Sequence, residues 1–150
     1  MAAGDVVIFD AAIGWLGTET FQLNTDTFKA VYVEDELSIS AALSAPAYGE
    51  GQTTDLGDTE QSGGNASAGG ADITNTYSAT SGTGTFDAAD VDLEQNGSNP
   101  SAMRDWVAYS EDATNNEALL YIDLGANIDG SAGDLAITMS GSGIFTLAQA

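Results

Sequence analysis

The chain has 150 residues, 43% hydrophobic and 8% aromatic, which suits a single globular domain, residues 1–150, around one modest core. It contains no cysteine and no histidine, so disulfides, thiol nucleophiles, Cys/His zinc sites, imidazole bases and Ser-His-Asp triads cannot be assembled from it alone. With 23 acidic residues against only Lys29 and Arg104, the formal net charge is −21, and a phosphate backbone or an anionic membrane surface would be repelled.

Such self-repulsion also opposes compaction. It weakens as the Debye length falls from about 10 Å at 0.1 M salt to about 3 Å at 1 M, so a saline habitat suits the chain. No basic residue precedes the apolar residues 6–9, so a secretory signal is not expected, and no run of about 18 apolar residues could span a bilayer.

In residues 5–16, Val6, Val7, Ile8, Phe9, Ala12, Ile13 and Leu16 include i, i+3, i+4 and i+7 relations. This reads as a short amphipathic helix, interrupted at Gly14 or capped at Gly17, with Asp5 as a favourable N-terminal acid; a strand through residues 6–9 is the alternative. Residues 27–33 follow as a β-branched and aromatic strand, apolar on nearly both faces. Glu34, Asp35 and Glu36 end it, and residues 37–43 have room for one or two helical turns before Pro46. Residues 48–70, rich in Gly, Ser, Thr, Asn, Gln and acids, read as a long flexible excursion with little core content.

The second half offers strands at 71–77, 85–93, 104–110, 117–124, 134–140 and 144–147, with turns at 96–100, 125–133 and 141–143. In 134–140 the alternation is plain, Leu135, Ile137 and Met139 on one side and Asp134, Ala136, Thr138 and Ser140 on the other. The expected fold class is all-β: an antiparallel β-sandwich or barrel-like domain with a short N-terminal helix.

Candidate chemistry is sparse. Acids at Asp87, Asp90, Asp92 and Glu94 and at Asp123, Asp129 and Asp134 are of the type that binds calcium, but residues 127–130 lack the full EF-hand loop pattern and read better as a solvated acidic face. Glu111, Asp112 and Glu117 are the carboxylates to weigh for glycoside hydrolysis, and their turn near Asn115 and Asn116 favours simple exposure. Trp15, Trp106 and Tyr109 could stack on sugars; a spacing of three puts Trp106 and Tyr109 on opposite faces of a strand, which favours core packing or an oligomer contact. The Gly-rich residues 63–70 lack the lysine of a phosphate loop. Lys29 and Arg104, each in an expected strand of an acidic chain, are candidates for internal ion pairs. No catalytic, cofactor-binding or metal-binding residue is assigned.

The order of the segments resembles a family of small virion proteins of tailed bacteriophages. Residues 26–33, DTFKAVYV, resemble that family's opening strand D-T-I-K-V-A-L-L, and residues 82–91, GTGTFDAADV, its F-D-A-D-D-V segment. Residues 104–109, RDWVAY, are similar to its A-R-Y-A-V-I-Y strand, and residues 119–125, LLYIDLG, to its L-I-A-Y-I-D-F-G. Residues 133–137, GDLAI, with 143–147, GIFTL, resemble its ending, G-D-F-T-I followed by G-I-L-T-L. Residues 62–70 depart from the G-T-G-Y-T-A-G-G turn common in the family.

The resemblance implies a non-enzymatic virion structural protein. Within that class the expectation is a capsid cement or decoration protein, made in the host cytoplasm, bound to the major capsid protein on the outer surface of the shell and self-associated, with a trimer as the guess. The alternatives are a tail or head–tail joining component and a host-surface carbohydrate-binding or adhesive module.

Overall fold

The structure is a computed structural model that describes residues 4–35, 38–49 and 51–148. In chain order its elements are β1 (Val6–Ile8), α1 (Asp10–Gly17), β2 (Phe28–Val33), β3 (Pro46–Ala47), β4 (Thr54–Asp55), a single 3-10 turn (Leu56–Thr59), β5 (Ala71–Asp72), β6 (Asn75–Thr80), β7 (Thr83–Ala88), β8 (Val91–Leu93), β9 (Met103–Ser110), β10 (Ala118–Ile128), β11 (Leu135–Ile137) and β12 (Phe145–Ala148). Among the described residues the fold is all-β with one short α-helix.

The most apolar segments form a five-stranded antiparallel sheet in the order β1-β10-β9-β2-β5. Its register puts Ala30, Tyr32, Trp106, Ala108, Leu120, Ile122, Val6 and Ile8 on one face, and Val31, Val33, Val107, Tyr109, Tyr121 and Val7 on the other. Both faces are covered. On the first, the Phe28 ring meets Phe86 of β7 at 5.4 Å between centroids, and Phe86 in turn stacks on Phe145 of β12 at 5.2 Å. On the second, Phe9 packs on Tyr121 at 5.1 Å and Tyr48 stacks on Tyr109 at 4.9 Å. Burial from two sides explains why residues 28–33 show no polar face, apart from Lys29.

The outer layer over the first face consists of an antiparallel sheet β12-β7-β6 and a pair β11-β8. Of the two architectures expected, the closed barrel is not formed: β1 and β5 end the large sheet as edges, and the sheets stack in layers.

Several boundaries differ from expectation for identifiable reasons. The N-terminal segment is a strand followed by a helix, not a helix over residues 5–16. The β-branched Val6, Val7 and Ile8 pair with Ile122, Tyr121 and Leu120, and Asp10, not Asp5, is the acid in the first helical turn. Residues 71–77 divide because the chain changes layers, Ala71 and Asp72 pairing with β2 and residues from Asn75 onward with β7. Residues 85–93 divide because the inward parity changes: Gly84, Phe86 and Ala88 are buried, then Leu93, and the break in pairing at Ala89 and Asp90 absorbs the odd residue.

No helix forms over residues 38–43, only a hydrogen-bonded turn in which Leu43 donates its N–H to Ser40 O; the Ala41 carbonyl accepts the Asp10 N–H, and Ser38 has a left-handed φ of 47°. Leu37, where that expected turn began, lies outside the described residues.

The excursion at 48–70 contributes to the core despite its composition. Leu56 is fully buried, Ala66 nearly so, and residues 59–61 lie along the end of β2 through the bonds Glu34 N–H to Thr59 O and Gln61 N–H to Tyr32 O. Gly70 closes the excursion at a φ of +78°, tight against the Ala30 carbonyl, a place that only glycine fits.

Candidate functional site

Both cations are tied to acids of the same chain. Lys29 Nζ donates to Glu111 Oε1 at 2.6 Å, joining β2 to the turn after β9, and this contact raises the lysine pKa above its ordinary value. Arg104 Nη1 donates to Asp123 Oδ1 at 2.5 Å, with Asp35 at 3.5 Å from Nε. Beside this pair Asp105 is buried, and it faces Asp123 directly across the β9–β10 ladder. Burial first, then the like charges of Asp123 and Asp35, push its carboxyl up to about 6, with the Arg104 guanidinium opposing.

The acids considered for metal binding or hydrolysis are mostly dispersed into loop-holding roles. Asp90 Oδ1 accepts the Met139 N–H at 2.7 Å, which ends β11; Asp134 Oδ1 accepts Gln95 N–H at 2.6 Å; Asp87 Oδ1 accepts the Ala88 N–H. Asp129 accepts both the hydroxyl and the N–H of Ser131, which holds its carboxyl below the ordinary value. Asp92 is exposed on β8 and Glu94 is exposed just beyond it. Among the described residues no group of three His, Cys, Asp or Glu side chains is placed to hold a metal ion.

Glu111, Asp112 and Glu117 do not face one another as an acid–base pair in their hydrogen bonding. Glu111 is held by Lys29, Asp112 Oδ2 accepts the Thr27 N–H at 2.6 Å, and the buried Glu117 accepts both the N–H and the side-chain amide of Asn115. Each carboxylate fastens a turn.

The aromatic residues form no common platform. Trp106 is 1% exposed on the Tyr32 face, whereas Tyr109 is buried on the opposite face and donates its hydroxyl to Gly69 O at 2.7 Å. Trp15 sits edge-on to Phe21, 5.8 Å away. The Tyr48 phenol, pushed up to about 12 by burial and by Glu60, donates to Glu60 Oε2, whose other oxygen accepts Gly69 N–H. Residues 48–70 are thereby clamped to the sheet from both ends.

A large concavity lies elsewhere. An open groove of about 910 Å³, apolar along Val6, Ile122, Leu124, Leu135, Ile137 and Ile144 and polar elsewhere, runs between β1 and the end of β10 on one side and β11 with the turn after it on the other. Sequence reading found its parts, the 6–9 run and the alternation at 135–139, but not their juxtaposition. No helix among the described residues is long and apolar enough to cross a membrane. No protein-family model, curated protein or solved structure matches the chain.

Proposed function

We propose that the chain is a non-enzymatic structural protein of a tailed-bacteriophage particle, a capsid cement protein carried in many copies on the outer surface of the shell. The observation that carries this reading is the collinear resemblance. Its segments fall on β2, β7, β9, β10 and the closing strands β11 and β12, so the likeness follows the strand framework and not the loops between.

Charge supports the outer surface, because the lumen holds packed DNA whose phosphates repel a chain of net charge −21. The partner in this reading is the major capsid protein. A protein that binds surface formed only in the expanded shell stabilises that shell by mass action. The fastening of Glu111, Asp112 and Glu117 to turns supports a scaffold in preference to a hydrolase.

The test is shell stability. Particles lacking the protein should release DNA at a lower temperature than complete particles, and adding the purified chain back should restore the difference. Equal release temperatures would remove the cement role and favour a tail or head–tail component, and saturable binding to host glycans would favour an adhesive module.

A further inference from the structure

The edge strand β1 is open for pairing beside the groove, and we infer that the two together take an extended, lysine- or arginine-flanked segment of another polypeptide as an added β-strand. Phe9 donates its N–H to Leu119 O, so alternation along the antiparallel ladder makes Val7 and Tyr121 the next hydrogen-bonded pair. Val6 and Ile8 then direct their N–H and C=O groups away from β10. Among the described residues no hydrogen bond outside that ladder involves either of them. Two residues of one strand thus offer donors and acceptors at the correct spacing for a partner strand.

The groove supplies the second half of the site. Val6, Ile122, Leu124, Leu135, Ile137 and Ile144 line it, so alternate side chains of an added strand meet an apolar surface while its backbone meets β1. β11, on the far side, is itself an edge, paired among the described residues with β8 alone. The open volume of about 910 Å³ accommodates several side chains.

Charge selects the occupant. Asp10 is exposed at the end of β1, and the chain carries a net charge of −21 with Lys29 and Arg104 both in internal ion pairs. A second copy would bring like charge to this edge and no cation to offset it. A basic-flanked strand complements it.

The probe is a synthetic ten-residue peptide with Val or Ile at alternate positions, Thr between them and Lys at both ends, titrated into the full chain and followed by NMR. Expected are saturable shifts of the Val6 and Ile8 amides and of the Ile137 and Ile144 methyls. Affinity should fall at least tenfold when the terminal lysines become glutamates. N-methylation of one alternate set of peptide amides should abolish binding, while methylation of the other set leaves it. The variant Leu135→Lys, at a half-buried groove position, should weaken binding at least fivefold while the amide spectrum remains folded. No shifts up to 1 mM peptide, or binding indifferent to which amides are methylated, would overturn the inference. Concentration-dependent shifts of the same amides without peptide would overturn it in favour of a second copy.

Discussion

Asp105 on β9 lies directly opposite Asp123 on β10, two acids paired across neighbouring strands with Arg104 donating to the second of them. Burial and this juxtaposition raise the Asp105 carboxyl from 3.8 to about 6, so the folded chain holds that proton more tightly than the unfolded chain does. The contribution of Asp105 to stability is therefore fully present below pH ~4 and is lost as pH rises through ~6, a loss on the order of 3 kcal/mol. Asp105→Asn removes the buried charge. It should stabilise the protein by up to about 3 kcal/mol at pH 8 and have little effect at pH 4, read from urea unfolding at both values.

The two ion pairs should differ in weight. Lys29 pairs with a half-exposed Glu111, and Lys29→Met should leave the melting temperature within about 2 °C of the parent. Arg104 offsets the charge of Asp123, Asp35 and the buried Asp105, and Arg104→Met should cost about 1–3 kcal/mol at neutral pH. Thermal unfolding of the two variants side by side gives the order.

The layers are held together through Phe86, whose ring touches Phe28 of the large sheet and Phe145 of β12. Phe86→Ala should destabilise by about 3–5 kcal/mol, through lost burial and the cavity left behind. Leu147→Ala, two residues beyond Phe145 at a 42% exposed position, should change stability by less than about 0.5 kcal/mol. Denaturant midpoints measure both.

Gly70 combines a left-handed backbone with close approach to the Ala30 carbonyl. Gly70→Ala should cost about 2 kcal/mol or more, and amide exchange should quicken at Ala71 and Asp72, because β5 must shift away from β2. A variant exchanging at parental rates would show that β5 is not registered by this glycine.

Local pattern made the strand framework legible. The unbroken apolar run of β2 and the alternation of Leu135, Ile137 and Met139 are properties of neighbours in sequence, and the burial follows them, with Leu135 half-buried at the groove. The break between β7 and β8 went unread in the single strand expected over 85–93; it accompanies a change from even to odd inward positions after Ala88. Residues 6–8 read as part of a helix on local periodicity, with a strand as the alternative, and they form a strand. What decided them is pairing with Leu120, Tyr121 and Ile122, over a hundred residues away. The same non-locality hides the roles of the acids: Glu111 meets Lys29 across 82 positions, and Asp112 meets Thr27 across 85. Composition likewise marked residues 48–70 as peripheral, whereas Leu56 and Tyr48 find partners that only the folded sheet provides. The groove was illegible for a related reason, since its walls are the edges of two different sheets.

The most direct test of the proposed role is the copy number of this chain relative to the major capsid protein in purified particles, by quantitative mass spectrometry. A cement protein is predicted at a ratio near one or a simple symmetric fraction of it. A few copies per particle would contradict the shell assignment and place the chain in the tail or neck, and absence from particles would contradict the virion role itself.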